Sequence, residues 1–180
     1  MAEAAIELFA EHGYAETSVT DIAQRAGLAK STFFRHFASK REVLFGEDLM
    51  SEVLTGAIAG APAGMRPFDV VARVVDDLDD RVFTPDYRSV AVRRRAVIEA
   101  HSDLREREAL KSAHLVEDVA QAFARRSDLR SDARLAARLC VFIISETYEG
   151  WAVDAGADGE AFAVIGQRVL DSVRKGVRAL

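Results

Sequence analysis

An all-α protein of about nine helices is the fold class the sequence predicts, with a three-helix helix-turn-helix domain over residues 1–45 and a larger helical domain over 46–180. Three observations carry this. Ala, Arg, Leu, Glu and Asp are abundant and only three of 180 residues are Pro, a composition of helix formers. Apolar residues recur at three- and four-residue spacing along most of the chain. Between Thr17 and Glu42, cap and stop signals alternate quickly enough to define two short helices and a tight turn. Hydrophobic residues make up 49% and charged residues 29%, an ordinary globular balance that can fill a substantial core. No run of eighteen apolar residues predicts a membrane span, and the first residues lack the basic and apolar blocks of a signal peptide. A cytoplasmic protein is expected. The single cysteine, Cys140, lies in the apolar run Leu139–Ile144 and reads as a buried thiol, with a redox sensor as the alternative.

The first helix covers Met1 to His12, with Ala5, Ile6, Leu8 and Phe9 inward, Gly13 as its stop and Tyr14 plugging a small core. Ser18 caps the second helix, with Asp21 three residues on as a weak capping box, and Ile22, Ala23 and Ala26 form its apolar face. Gly27 ends it in the left-handed region. The third helix starts near Lys30. Phe33 and Phe37, four apart, pack inward, which leaves Lys30, Ser31, Thr32, Arg35 and His36 to face outward. Ser39 with Glu42 reads as another capping box, opening a fourth helix from Lys40 to about Ile58 with Val43, Leu44, Leu49, Val53 and Leu54 inward. That helix is the expected lever between the two domains. Gly60–Pro67, with two Gly and two Pro in eight residues, is the clearest break, and composition puts a boundary near it. Then come Phe68–Phe83, with Val71, Val74, Val75, Leu78 and Val82 at helical spacing and Pro85 as its stop, and Asp86–Ala100. The latter carries Arg93-Arg94-Arg95, either a solvated face, a partner for Asp76–Asp80, or the receiver of an anionic ligand group. Ser102–Arg126 opens on a cap-like Ser102 and directs Leu104, Leu110, Leu115, Val119, Ala122 and Phe123 to one side.

The last two helices, Asp132–Ala155 and Gly159–Leu180, carry more apolar surface than one small core needs. Small residues at Ala136, Ser145, Gly150 and Gly166 allow close approach, so two such helices from each of two chains would make a four-helix bundle. Leu139, Phe142, Ile143, Trp151, Phe162, Ile165, Val169 and Val173 are the candidate interface of a homodimer. The alternative is that these faces are intrachain core.

Two helices joined by a short Gly-containing turn form a helix-turn-helix unit, and a short helix with outward donors fits the major groove of double-stranded DNA. Between Thr20 and Arg41, Arg25, Lys30, Arg35, Lys40 and Arg41 stand against Asp21 alone, in a chain whose net charge is −5. Lys30, Ser31 and Arg35 are the candidates for base edges, and Arg35 could grip a guanine with two N–H groups. An ordinary solvated helical hairpin is the competing reading of the local pattern.

The residues that decide between them are Phe9-Ala-Glu-His-Gly-Tyr14, Thr17-Ser18, Asp21-Ile22-Ala23, Ala26-Gly27, Thr32-Phe-Phe-Arg-His-Phe37 and Ser39-Lys40. In order and spacing this quarter of the chain resembles the N-terminal domain of TetR-family transcriptional regulators. The resemblance implies a homodimer joined through its last two helices and DNA phosphate contacts from Ser18, Thr32, His36 and Lys40; Thr20, by its place at the start of the second helix, is expected to reach either phosphate or base. It also implies a small, often hydrophobic effector held among the middle helices. His114, Phe123, Tyr148 and Trp151 are the candidates for that site, with ordinary core as the alternative for each. Three departures stand out. Ala29 occupies a position where the family usually has Ser or Thr as a helix cap, at a cost of roughly 1 kcal/mol. Phe34 replaces a Tyr whose hydroxyl typically reaches phosphate, keeping the packing and losing that bond. The chain begins just before the first helix, so no N-terminal arm is expected to add contacts.

An enzyme is not expected. None of His12, His36, His101 or His114 has a Glu three positions before it, as a di-iron bundle would need, and paired cysteines, zinc-protease spacing and a phosphate-binding loop are missing. No cofactor or metal is expected. A ligand-released repressor on a palindromic operator is the first reading, and a helical partner-binding module with little DNA affinity is the alternative.

Overall fold

Local signals and long-range packing together set the helix ends in the computed structural model, which describes residues 1–45, 49–126, 132–153 and 159–178. All regular structure among them is helical: α1 (Ala2–His12), α2 (Val19–Arg25), α3 (Lys30–His36), a 3-10 turn (Glu42–Leu44), α4 (Leu49–Gly60), α5 (Pro67–Arg81), α6 (Pro85–Ala100), α7 (Ser102–Arg125), α8 (Ala133–Trp151) and α9 (Phe162–Arg178). The chain forms two compact units, Met1–Glu47 with Ser89–Ala109, and Asp48–Arg88 with Leu110–Leu180.

In the first unit α1 packs on α2 and on the 3-10 turn, and α2 packs on α3. Ala5, Ile6, Leu8 and Phe9 of α1 are buried as the spacing requires, and Gly13 ends the helix at φ 88. Phe9 meets Tyr14 edge to face at 5.0 Å, and Tyr14 meets His101 at 5.1 Å. The α6–α7 segment of this unit grips the end of the N-terminal stretch. Arg94 donates to the Leu44 carbonyl at 2.6 Å and to Glu108 at 2.9 Å, and Arg107 donates to Glu42 at 3.1 Å. Both guanidinium groups lie over the Phe45 ring, at 5.7 and 5.6 Å.

The second unit is built round α5, which packs on α4, α8 and α9, while α8 packs on α9. Val70, Val71, Val74, Val75 and Leu78 of α5 are all at most 1% exposed. Each such side chain stabilises by about 1.5–3 kcal/mol of transfer. α9 crosses so closely that a Cβ on Gly166 would stand 2.4 Å from Cγ1 of Val75. Arg126 closes the C-terminal end of α4, donating to the carbonyls of Ile58 (3.0 Å), Ala61 (2.6 Å) and Pro62 (2.8 Å).

Several local expectations are corrected. The run from Lys40 does not continue as one helix to Ile58. It makes a turn at Glu42–Leu44, α4 begins at Leu49, and residues 46–48 lie outside the described ones. The Ser39–Glu42 capping box does not form: Glu42 spends its carboxylate on Arg107 and lies 3.6 Å from Arg41. Leu49 and Leu110, expected inward, are 46% and 50% exposed. α7 is capped by His101, whose carbonyl accepts from Arg105 N, so Ser102 is the first helical residue. The Gly60–Pro67 break joins α4 to α5 inside one unit.

Candidate nucleic-acid interface and effector region

The turn that sets α3 is fixed at both ends by short-range chemistry. At the start of α2, Ser18 Oγ accepts from Asp21 N at 3.2 Å and Asp21 Oδ2 accepts from Ser18 N at 2.9 Å. Hydrogen bonds from the Ser18 hydroxyl and the Ser18 backbone N–H to the Asp21 carboxylate hold it below the usual carboxylate range. At its other end Gly27 adopts φ 67. Leu28 N then bonds Ala23 O at 2.8 Å, and Gly27 N bonds Gln24 O at 3.0 Å. This pair of bonds is the Schellman termination, and it points the chain into α3. Ala29 caps α3 with its backbone alone, its carbonyl receiving Thr32 N and Phe33 N.

α3 buries Phe33 completely, against Phe37 and the edge of Phe34, each at 5.5 Å. Lys30, Ser31, Arg35 and His36 are exposed on the other side, with Thr32 half-buried, and Ser18 and Thr20 are exposed at the start of α2. Phe34 is 52% exposed, so its ring packs along one edge only.

The fold redistributes the basic charge that a linear count collects here. Arg25 is held by Glu11 of α1 at 2.7 Å and by Glu7 at 3.5 Å. The Lys40 ammonium lies 4.7 Å from the Tyr14 ring centre and donates to the carbonyls of Tyr14 (2.7 Å), Ala15 (3.0 Å) and Thr17 (3.1 Å). Lys30 and Arg35 keep their charge on the exposed face of α3. Arg94 and Arg107, which tie down the end of this region, were not legible as its supports. The arginine run was visible, and within it Arg94 pairs with Glu108 and Arg95 with Glu99.

In the second unit the four effector candidates separate. His114 is exposed on α7, so no apolar site encloses it, and Phe123 is fully buried core. Tyr148, half-buried, and Trp151, 1% exposed, share a cluster with two aromatic residues of which sequence reading missed one: Phe83 is 5.6 Å from Tyr148, 5.3 Å from Trp151 and stacked at 4.1 Å on Phe162. Arg88, also missed, lies over Trp151 at 4.9 Å. Only the apolar residues on one stripe were readable; a lone Arg near a helix start gives no periodic signal.

The interface candidates divide as well. Ile143, Trp151 and Phe162 are 0–1% exposed and belong to the core of their own chain. Phe142 is 50% exposed, and Leu139, Ile165, Val169 and Val173 are half-buried. An open groove of about 400 Å³ runs between α8 and α9, lined by Phe142, Glu146, Ile165, Arg168, Val169, Ser172 and Val173. Leu135 and Val164, which are not among the interface candidates, are 63% and 49% exposed on the same two helices. Burial pushes the Cys140 thiol up to about 12, the state of an inert core thiol. Among the described residues there is no cluster of three metal-ligating side chains, and no helix is long and apolar enough to cross a membrane.

Comparison with known proteins adds to this geometry. The family model for bacterial regulatory proteins of the tetR family matches residues 2–46. The HTH-type transcriptional regulator TcmR of Streptomyces glaucescens is 30% identical over 184 aligned residues, covering 94% of this chain and 79% of TcmR. MftR of Mycobacterium tuberculosis is 49% identical over 47 residues, which are 26% of this chain and 24% of MftR. Among solved structures, FadR of Bacillus subtilis in complex with stearoyl-CoA matches with a TM-score of 0.63, 19% identity and 94% of both chains covered. FadR of Thermus thermophilus, a TetR-family repressor in complex with lauroyl-CoA, matches with a TM-score of 0.59, 22% identity, 97% of this chain and 92% of that one. At these identities the two structures speak for the fold alone.

Proposed function

This chain belongs to the TetR family of bacterial transcriptional regulators, and from that premise we propose that it is a homodimeric repressor, released from a palindromic operator by a small molecule. The observation that carries the proposal is the outer face of α3. A buried Phe33 fixes the helix from behind, and Lys30, Ser31 and Arg35 stand exposed in front. In the major groove these residues read base edges, with Arg35 bidentate to guanine. Ser18, Thr20, Thr32 and His36 surround that face and take phosphates. Phe34, lacking a hydroxyl, contributes apolar contact to the sugar–phosphate edge. Lys40 holds the loop before α2, because its donors are already taken.

One seven-residue helix supplies little affinity. Two of them about 34 Å apart read two half-sites, and the exposed α8–α9 face is the surface for the second copy. The domains of this reading are 1–45 for DNA and 46–180 for effector and dimer, with Ser89–Ala109 supporting the first. Tyr148 and Trp151 are the effector-side residues. The acyl-CoA complexes of the two FadR proteins support a small-molecule effector for this fold. Release follows only if the effector binds the released state more tightly than the DNA-bound one. The protein acts in the cytoplasm, where its operator is, and no reaction is assigned to it.

Selection of bound sequences from random duplex DNA, with Lys30→Ala and Arg35→Ala in parallel, tests this reading. A palindrome enriched by the wild type and relaxed in the variants is the expected result. A partner-binding module is the second reading, favoured by the uncapped Ala29 and the half-exposed Phe34. A folded, dimeric wild type that enriches nothing would establish it instead.

A further inference from the structure

Arg88 is the one charged residue buried among the described residues, with 8% of its surface exposed. Its guanidinium lies on the Trp151 ring, and one Nη donates to the backbone carbonyl of Glu160. Its Nε is buried and has no hydrogen-bond partner.

Two carboxylates at the start of α9 are spent elsewhere. Glu160 gives both oxygens to Arg168, at 3.0 and 2.6 Å. Asp79 accepts from Ala163 N at the start of α9, at 3.2 Å. Other arginines of the chain have acids: Arg25 has Glu11, Arg66 has Asp69, Arg94 has Glu108, and Arg107 has Glu42. Among the described residues Arg88 has none. A guanidinium does not shed its proton, so its charge stays in place, and among the described residues it keeps company with a carbonyl and an aromatic face. A buried charge without a counter-charge is costly, and an incoming anion relieves that cost.

We propose that Arg88 and the Phe83–Tyr148–Trp151–Phe162 cluster form a receptor for an apolar organic acid, whose carboxylate pairs with the free edge of Arg88. The inference rests on the effector-released reading above and names the effector's chemical class. A planar carboxylate suits the parallel N–H groups of a guanidinium, and four aromatic rings suit an apolar body. The rings stand 4.1–6.0 Å apart, so the acid needs one of them to give way. Tyr148, the half-buried member, is that wall.

Trp151 is the only tryptophan of the chain, so tryptophan emission, excited beyond the absorption of the tyrosines, reports on this cluster alone. The full chain is titrated with phenylbutyrate and with its neutral counterpart, phenylbutanamide. In the wild type the acid should bind at least about tenfold more tightly than the amide, the affinity that a charge-assisted hydrogen-bond pair adds. Arg88→Met, with helix content checked by circular dichroism, should abolish the difference. Arg88→Lys, which keeps the charge and loses the fork, should reduce it, and stands in if the Met variant does not fold. Equal responses to acid and amide, no response to either at millimolar concentration, or an acid preference that survives in both variants would overturn the site. An operator complex that persists while the acid is bound would overturn its effector role. A wild type that binds no operator at all would instead end the repressor reading, which the fluorescence titration does not touch.

Discussion

The ammonium of Lys40 has three N–H donors, and the carbonyls of Tyr14, Ala15 and Thr17 take all of them. A phosphate can recruit this group only by breaking that arrangement. Lys40→Met should therefore lower the melting temperature and leave the salt dependence of operator binding nearly unchanged. Removing a cation that pairs with phosphate would instead reduce the slope of log K against log salt by about one unit. Measuring both quantities on one variant separates the two roles, and a one-unit drop would restore Lys40 to the phosphate-binding set. Asp21 lies in the first turn of α2, just after that loop. Its carboxyl is held below the ordinary range by Ser18, so its contribution is fully present above the unfolded pKa and is lost as pH falls through the folded one. Glu11, lowered chiefly by its hydrogen bond with Arg25, works in the same direction. Asp21→Asn should be less stable than wild type at neutral pH, and the gap should close on acidification. Thermal melts across the acidic range check this, and a gap that widens toward low pH would exclude it.

At the level of elements, α3 depends on how it is entered. Gly27 in the left-handed region supplies the turn, and Ala29 then offers no side-chain oxygen to the helix end. Ala29→Ser should add about 1 kcal/mol to stability by supplying that cap. It should also tighten operator binding; a melting temperature no higher than wild type would show that the helix end is already satisfied. α1, α2 and α3 were legible almost to the residue because every signal they need lies within a few positions: Gly13, the Ser18–Asp21 box, Gly27, and Phe33 with Phe37. The continuous helix expected from Lys40 failed for the opposite reason. Glu42 looked like the second half of a local cap, but its partner is Arg107, sixty-five positions further on. Leu110 on α7 misled in the same way, since apolar spacing does not say which turn of a long helix has a neighbour.

For the molecule as a whole, sequence periodicity could not divide the apolar surface of α8 and α9 between the chain's own core and a second copy. Ile143, Trp151 and Phe162 went inside, while Phe142, Ile165, Val169 and Val173 border the open groove. If the proposed homodimer joins through this groove, Val169→Asp should leave helix content and melting behaviour close to wild type, give monomers where the wild type sediments as a dimer, and weaken operator binding at low protein concentration. An unchanged sedimentation coefficient would move the dimer interface elsewhere. The grip of Arg94 and Arg107 on Leu44, Glu42 and Phe45 has a consequence for how such proteins can be recombined. The reading head is not a cassette that ends with its motif. A chimera carrying only residues 1–45 would arrive without the Arg107 partner of Glu42, the Arg94 donor to the Leu44 carbonyl and the two guanidinium groups over Phe45, and its new host would have to bring two arginines of its own. Specificity for an operator can thus travel between relatives only together with a piece of the helical hairpin that follows some fifty positions later in the chain.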